Sequence, residues 1–231
     1  MFGDSLTEFA FKQFPLDEYG AIYKKPIYTM GAALSEAYTG KMDILQRGFG
    51  GYTSKHAIQM ISGILDEEHD SKPAAEQIKL AYFYFGSNDA RLMGSLGPTK
   101  NLEHVPIDQF AGFSRSTVIE LLKRDIKVVI MTPGLHNQET YAKTYPEDLI
   151  TGDYRSNETN LEYVNVLVKL GAELDVPVVN VYGVFKKSGL SDEELLTDGI
   201  HFNSLGYKLV FDALMDTIEN EYPELHPVNF S

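Results

Sequence analysis

Short runs of apolar and β-branched residues alternate along the chain with longer segments in which apolar residues recur at helical spacing. Such short runs are typical of strands that are buried on both faces. We predict strands at residues 43–46, 78–85, 127–132 and 176–182. The longer segments predict helices at residues 6–14, 31–38, 53–65, 106–123, 156–174 and 204–222. This alternation favours a parallel sheet with helices on each side, that is, a three-layer α/β/α sandwich.

Glycine and proline are spread through the sequence, and no repeat or low-complexity segment marks a linker. A length of 231 residues suits one domain with a sizeable core, so we expect a single domain over residues 1–231. In parallel sheets, binding sites form at the carboxyl ends of the strands. The residues that follow the predicted strands are therefore the first place to look for a site.

The composition narrows the function classes. Acidic residues outnumber basic residues 33 to 20, and the net charge of -13 disfavours nucleic acid and anionic membranes as partners. The absence of cysteine excludes disulfides, thiolate zinc sites and a cysteine nucleophile. No segment reaches the ~18 apolar residues of a membrane helix, and the first residues lack the features of an export signal. We therefore expect a cytoplasmic protein.

Two blocks carry the residue types of a nucleophile and a base. Ser5 lies in the block Gly-Asp-Ser-Leu, where the first predicted helix begins. Asp198 and His201 are three residues apart, so one turn can bring the carboxylate to Nδ1 of the imidazole and leave Nε2 free to accept a proton. Taken alone, the first block also fits a helix N-cap, and the histidine also fits a structural role.

Two further blocks carry hydrogen-bond donors. Gly51 lies in a glycine-rich turn before a helix, where its N–H can meet a substrate oxygen without obstruction by a side chain. Asn88 follows the apolar run at 78–85 and can present its amide as a fixed donor to an oxyanion. The alternatives are a tight turn at Gly51 and an Asx turn at Asn88.

Nucleophile, base, orienting carboxylate and two donors all fall at segment ends, and this combination favours a nucleophilic hydrolase. The chain has no phosphate-binding loop with Lys-Ser/Thr, no dinucleotide glycine fingerprint and no zinc-binding helix motif. The other five histidines show no metal-ligand spacing. We expect neither a metal nor an organic cofactor.

Together the four blocks resemble the signature blocks of the SGNH (GDSL-type) hydrolases. Longer stretches at residues 2–11, 41–54 and 195–202 resemble the isoamyl acetate-hydrolysing esterases within that superfamily. The resemblance implies a flavodoxin-like strand order, 2-1-3-4-5, and hydrolysis of short-chain acetate-type esters through an acyl-enzyme on Ser5. It also implies an oxyanion hole formed by the backbone N–H groups of Ser5 and Gly51 and the amide of Asn88.

Several points stay open at this level. The apolar residues that flank the blocks could line a substrate pocket or belong to the core: Phe49, Phe85, Leu135 and Phe202. The segment 134–155, with Tyr141 and Tyr145, could form a rim over the pocket or an ordinary surface loop. A thioesterase, a lysophospholipase, a carbohydrate deacetylase or a catalytically silent relative that binds small esters or a protein would carry similar blocks.

Two expectations concern the ends of the chain. Only two residues precede Gly3, so the first strand of the resembled fold is largely missing, and we expect the chain to be an N-terminally shortened form. The region around Tyr222 and Pro227 could dock a terminal tail or a second subunit, and a homodimer is therefore one expectation.

Overall fold

The computed structural model of the chain describes residues 1–13, 27–93, 104–147 and 153–230. Five parallel strands form one sheet: β1 (Phe2–Gly3), β2 (Arg47–Gly48), β3 (Leu80–Tyr84), β5 (Lys127–Met131) and β7 (Val178–Val179). Their order in the sheet is β2-β1-β3-β5-β7. Numbered along the chain, these strands follow the order 2-1-3-4-5, which confirms the predicted flavodoxin-like sheet. A separate antiparallel pair joins β4 (Leu92–Met93) to β6 (Asp153–Tyr154).

Helices cover both faces of the sheet. They are α1 (Ser5–Phe9), α2 (Met30–Ala37), α3 (Ser54–Leu65), α4 (Ile107–Leu122), α5 (Gln138–Thr144), α6 (Asn157–Leu174), α7 (Val181–Ser188), α8 (Asp192–Leu195) and α9 (Ser204–Glu221). Side-chain oxygens cap the two longest helices, α6 and α9, because the first N–H groups of a helix have no partner within it. The Ser156 hydroxyl accepts from the N–H of Thr159 at 3.1 Å, and the Asn203 amide oxygen accepts from Leu205 and Gly206.

Alternate side chains along β3, β5 and β7 enter two hydrophobic clusters, as the two-residue period of a strand requires. On β5, Val129 and Met131 face the cluster under α1, α2, α7 and α9, whereas Val128 and Ile130 face the cluster under α3, α4 and α6. The strands are thus buried on both faces, and the three-layer sandwich predicted from the sequence is confirmed. None of the helices in the described segments is long and apolar enough to cross a membrane.

The predicted boundaries hold for most helices and fail at three places. The strand predicted at 43–46 is wrong, since pairing with the two-residue β1 occurs later, at Arg47–Gly48. The strand predicted at 176–182 ends at Val179, because the Asn180 side chain caps Gly183 N–H and starts α7. Helix α1 ends at Phe9 rather than at residue 14, which lies outside the described residues.

A gap in the sheet lies beside β1, at the end opposite to the carboxyl ends of the strands. The cavity there has a volume of about 530 Å³ and is lined by Met1, by Leu45 and by the start of β3 at Leu80. Its walls include Ile61 from one hydrophobic cluster and Leu214 from the other, although elsewhere the sheet separates these two clusters. The cavity is therefore distant in the fold from the strand ends that carry the functional blocks.

Candidate active site

Ser5 lies where β1 passes into α1. Asp4 is the N-cap of this helix, and its Oδ1 accepts from the N–H of Leu6 at 2.9 Å. The N–H of Asp4 donates to the carbonyl of Tyr84 at 3.2 Å, which ties the turn to the end of β3. A Cβ at Gly3 would lie 2.6 Å from the same carbonyl oxygen, so only glycine allows this close approach. The turn thus fixes the first residue of α1 at the carboxyl edge of the sheet.

The hydroxyl of Ser5 is in hydrogen-bond contact with a histidine almost two hundred residues away. Nε2 of His201 lies 2.8 Å from Ser5 Oγ, and Nδ1 of the same ring lies 2.6 Å from Oδ2 of Asp198. Ser5 is 9% exposed, so little of its surface is open to solvent. The ring of Phe9 packs against the imidazole with the centroids 4.5 Å apart. The sequence blocks therefore converge into a chain of hydroxyl, imidazole and carboxylate with the connectivity of a catalytic triad.

A tight turn holds Asp198. Its Oδ1 accepts from the N–H groups of Ile200 and His201, at 3.0 and 2.8 Å, and its Oδ2 accepts from the imidazole and from the hydroxyl of Tyr145. Burial raises the pKa of this carboxyl, but the hydrogen bond and charge of His201 and the backbone donors outweigh burial, and the net pKa lies below the usual value. Asp198 is therefore ionised at neutral pH and orients the ring.

Asn88 is also fixed on both sides of its amide. Nδ2 donates to the carbonyl of Tyr52 at 2.9 Å, and Oδ1 accepts from Nη2 of Arg155 at 3.2 Å. The next residue, Asp89, accepts from the N–H and hydroxyl of Ser54, the latter at 2.6 Å, at the start of α3. The turn after β3 is thus joined to the glycine-rich loop, and the Asx-turn alternative does not describe the contacts of Asn88.

Gly51 lies at the exposed tip of that loop with a φ of +79°, a conformation that side chains rarely adopt. The loop is attached to the start of the chain at two points. The N–H of Phe49 donates to the carbonyl of Gly3 at 3.0 Å, and the N–H of Gly50 donates to Glu8 Oε2 at 2.8 Å. The loop therefore reaches the strand end from which Ser5 follows, and the tight turn with positive φ that was weighed from the sequence is present at Gly51.

Two buried carboxyls lie beneath this arrangement. Both Asp4 and Asp89 are 0% exposed. Burial raises the pKa of Asp4 to about 7, and a smaller part of the shift comes from the nearby Asp89. Burial likewise raises the pKa of Asp89 to about 6, against the lowering effect of its hydrogen bonds from Ser54. Ionising either group in the folded chain is therefore unfavourable, and each is tied to a turn of the site.

Three of the four apolar residues considered for a substrate pocket lie in the core. Phe85 packs against Phe2, with the centroids 5.0 Å apart, and Leu135 and Phe202 belong to the opposite cluster. Phe49 alone is half-buried, and its ring stacks on Tyr52 at 5.3 Å. Of the four residues, only Phe49 lies on the loop of Gly51. The other three pack in the core, which was the alternative interpretation.

The segment 134–155 contributes more to the site than the sequence predicts. Of the two tyrosines considered for a rim, Tyr141 is buried and Tyr145 reaches Asp198. At the end of the segment, Arg155 is buried against the turn of Asn88, a role that the sequence analysis missed. An arginine before a helix N-cap resembles any solvated residue, so no local pattern marks it. Residues 148–152 lie outside the described part of the chain.

The chain is similar in sequence to known proteins. Residues 1–209 match the family model described as GDSL-like lipase/acylhydrolase. The chain is 40% identical to the isoamyl acetate-hydrolyzing esterase of Saccharomyces cerevisiae over 99% of its own length and 89% of the relative. It is 30% identical to the protein of the same name from Schizosaccharomyces pombe, over 86% of this chain and 71% of the relative.

Solved structures agree in fold. A catalytic mutant of an acetylxylan esterase from Geobacillus stearothermophilus superposes with a TM-score of 0.66 at 17% identity, covering 94% of this chain and 91% of that chain. A lipase/acylhydrolase from Enterococcus faecalis gives a TM-score of 0.61 at 20% identity, covering 95% and 93%. These structures share the α/β architecture, and the family model with the yeast relative makes the assignment more specific. The chain belongs to the GDSL-like lipase/acylhydrolase family.

Proposed function

We propose that this chain is a serine esterase that hydrolyses short-chain, acetate-type carboxylic esters. The observation that carries the proposal is the contact of Ser5 Oγ with His201 Nε2 at 2.8 Å, while Nδ1 of the same ring meets Asp198 at 2.6 Å. A serine hydroxyl is a weak nucleophile until a positioned base can take its proton. This geometry supplies such a base, with its tautomer fixed by an ionised carboxylate.

The reaction proceeds by double displacement. Ser5 Oγ attacks the ester carbonyl carbon while its proton passes to Nε2 of His201, and a tetrahedral intermediate forms. The intermediate collapses when the imidazolium gives the proton to the leaving alcohol, and an acyl-enzyme on Ser5 remains. Water, deprotonated by the same imidazole, then attacks the acyl carbon, and the second tetrahedral intermediate collapses: the bond to Ser5 Oγ breaks, the imidazolium returns its proton to Oγ, and the carboxylic acid leaves. Asp198 keeps the ring oriented throughout and stabilises its charged form.

We assign the oxyanion hole to the N–H of Ser5, the N–H of Gly51 and Nδ2 of Asn88. Ser5 is the first residue of α1, so its N–H has no acceptor within the helix. Gly51 carries no side chain on an exposed loop tip, and Asn88 uses one of its two amide protons toward Tyr52. Donors that are fixed in advance stabilise the developing negative charge without reorganisation.

The ester class is supported by the relatives. Proteins named isoamyl acetate-hydrolyzing esterase match this chain from two yeasts, at 40% and 30% identity. A small acyl group also suits Ser5, which is only 9% exposed. The cytoplasmic location and the homodimer expected from the sequence stay predictions.

The proposal is tested with p-nitrophenyl acetate, butyrate and octanoate and with isoamyl acetate, on the wild type and on Ser5→Ala. We expect hydrolysis of the acetates and a loss of roughly four or more orders of magnitude in kcat on removal of the nucleophile. Ser62→Ala, an exposed serine on α3, is the matched control and should retain full activity. Equal rates for Ser5→Ala and wild type would end the esterase proposal.

The other acyl hydrolases stay alternatives to be separated by the same assay. A maximum at octanoate would favour a lysophospholipase, and faster turnover of an acyl thioester would favour a thioesterase. Acetate release from acetylated xylan, with little hydrolysis of isoamyl acetate, would favour a carbohydrate deacetylase. No turnover of any of these substrates, with Ser5 in place and the fold intact, would favour the catalytically silent relative.

A further inference from the structure

Arg155 is a buried cation that the triad does not use. Arg155 is 4% exposed, and its side chain lies beside the turn after β3. Nε donates to the carbonyl of Ser87 at 3.1 Å, and Nη2 donates to Oδ1 of Asn88 at 3.2 Å. Burying a guanidinium is costly unless its N–H groups are paired. Here at least two of them are directed at the segment that carries an oxyanion donor.

The two contacts of Asn88 fix which end of its amide faces which neighbour. A guanidinium has donors and no acceptor, so the atom facing Arg155 must be the oxygen. A carbonyl is an acceptor only, so the atom facing Tyr52 must be the nitrogen. If the nitrogen and the oxygen of the amide exchanged places, the nitrogen would face the guanidinium donors and the oxygen would face the carbonyl oxygen of Tyr52. One proton of Nδ2 is used at Tyr52, and the second remains for a substrate oxygen.

The positive charge also strengthens this donor. A hydrogen bond to a charged group is stronger than one between neutral groups, and hydrogen bonds in series polarise each other at low dielectric. Withdrawal of electron density from Oδ1 makes the Nδ2–H more positive. A guanidinium at Oδ1 can therefore influence a carbonyl bound at Nδ2 through the amide.

Arg155 is itself held in place by α5. Its backbone N–H donates to Oε1 of Gln138 at 3.2 Å, and its guanidinium carbon lies 5.4 Å from the ring centroid of Tyr141. Gln138 is the first residue of α5, and Tyr141 is buried one turn later. The segment 134–155 thus delivers a cation to the oxyanion side of the site.

We propose that Arg155 is a positioning residue of the oxyanion hole, which orients and polarises the Asn88 amide. The inference rests on the esterase function proposed above. It predicts that Arg155 affects turnover through Asn88 and not through substrate binding. A role in folding alone would give a different pattern, because its effect would not depend on which side chain stands at position 88.

A double-mutant cycle with Arg155→Met and Asn88→Ala tests this dependence. Losing an oxyanion donor costs ~100-fold or more in kcat, so we expect Arg155→Met alone to lower kcat by roughly 10- to 100-fold with little change in KM. In the Asn88→Ala background the same change should cost less than about 3-fold, since the amide it acts on is absent. Equal losses in both backgrounds, or no loss in the single variant, would overturn the proposal.

Two further variants serve as controls, one for unfolding and one for a general effect of charge. Arg155→Lys keeps the charge with a different donor geometry and should give an intermediate kcat. Arg115→Met removes the same charge from α4, where Arg115 pairs with Glu173 at 3.4 Å, and should leave kcat unchanged. Thermal unfolding of every variant, followed by circular dichroism, shows whether kcat was measured on folded protein. If Arg155→Met does not fold, the cycle is read from Arg155→Lys.

A measurement without turnover separates this proposal from the esterase function. In nitrogen-15 NMR of the side-chain amides, the two protons of Asn88 should be well separated in the wild type and should move together in Arg155→Met. That change without Ser5-dependent hydrolysis would refute the esterase function and keep the positioning role. An unchanged amide spectrum in a chain that hydrolyses acetate esters through Ser5 would refute the positioning role and keep the esterase.

Discussion

The phenolic hydroxyl of Tyr145 donates a 3.0 Å hydrogen bond to Oδ2 of Asp198, the same oxygen that meets Nδ1 of His201. Tyr145 follows α5, and its ring packs on Tyr141 with the centroids 5.1 Å apart. The carboxylate therefore has donors on both oxygens, and its orientation is determined by the segment 134–155 as well as by its own turn.

Tyr145→Phe should lower kcat by roughly 3- to 10-fold, because a hydrogen bond to a charged group is lost while the triad itself remains. The effect is modest since Tyr145 is 39% exposed and water can replace its hydroxyl. The measurement is kcat on p-nitrophenyl acetate at neutral pH. Tyr222→Phe, which loses a 2.9 Å hydrogen bond to the carbonyl of Val128, is the control and should keep its kcat. Identical kcat values for the two variants would remove Tyr145 from the catalytic apparatus.

Asn88→Ala should lower kcat by ~100-fold or more, with a much smaller change in KM, because an oxyanion donor acts in the transition state. Steady-state kinetics on the acetate ester give both parameters. Asn220→Ala removes an amide that donates to Asp216 on the exposed end of α9, and it should behave as wild type. A rise in KM alone, at constant kcat, would place Asn88 in ground-state binding instead.

Gly199→Ala should damage both the fold and the activity. Gly199 has a φ of +92°, and a Cβ there would lie 2.4 Å from the carbonyl oxygen of Asn137. The turn between Asp198 and His201 would have to move, and we expect a destabilisation of roughly 1–3 kcal/mol with a loss of at least about 10-fold in kcat. Thermal unfolding and kcat are measured together.

Gly189→Ala is the matched control for this variant. Gly189 has a similar φ of +71°, but nothing lies within 4 Å of the position of an added Cβ. This variant carries the backbone strain without the collision, so it should lose some stability and keep its kcat. If Gly199→Ala also kept its kcat, the turn would tolerate displacement and its geometry would not be critical.

The architecture and the converging blocks could be predicted from the sequence because each rests on a local pattern. Short, continuous apolar runs mark β3 and β5, and the spacing of Asp198 and His201 encodes a contact within one turn. The short strands were misplaced for a physical reason. The length of β2 and β7 depends on what lies beside them in the sheet, and a continuous apolar run does not tell a strand from the buried face of a helix such as α7.

The supporting residues of the site could not be predicted in this way. Tyr145 and Arg155 reach Asp198 and Asn88 across the fold, and neither has a neighbour in sequence that reveals the partner. For the aromatic residues beside the blocks, the sequence suggested a place in the substrate pocket that most of them do not have. Phe85 and Phe202 stand next to functional residues in sequence but point into the two cores, because side chains alternate at strand ends and turns.

Stability should depend on pH through the buried Asp4. Its pKa of about 7 lies above the reference value of 3.8, so the folded chain holds the proton more tightly than the unfolded chain. The free energy of unfolding should therefore fall as pH rises from about 4 to 7. Asp89 adds to this trend with a pKa of about 6, and the nearby Arg155 and Arg91 oppose it.

Asp4→Asn tests this dependence, because asparagine keeps the N-cap acceptor and carries no charge. Relative to wild type, the variant should gain roughly 2–4 kcal/mol of stability between pH 5 and pH 8, as measured by urea unfolding at both values. Asp108→Asn, at an exposed position in the first turn of α4, should show no such gain. A constant difference between Asp4→Asn and wild type at the two pH values would mean that Asp4 is ionised in the folded chain without penalty.

Filling the gap beside β1 should stabilise the fold. The cavity of about 530 Å³ is lined by Met1 and touches both hydrophobic clusters, so an extended apolar segment placed there would be buried on both faces. A designed extension of about eight residues ahead of Met1, rich in valine and isoleucine, should pair with the backbone near Leu45 and Leu80. Burial of a few such side chains contributes about 1.5–3 kcal/mol each, before the entropy of ordering them is subtracted.

We therefore expect the melting temperature to rise by on the order of 5 °C, and kcat to rise with it because β1 leads directly into the turn of Ser5. An extension of equal length made of glycine and serine is the control, since it can enter the gap but buries almost no apolar surface. Differential scanning calorimetry and turnover of p-nitrophenyl acetate give the two readouts. If the apolar and the glycine-serine extensions gave the same melting temperature, the gap would not accept a strand, and the short β1 would be sufficient to hold Ser5.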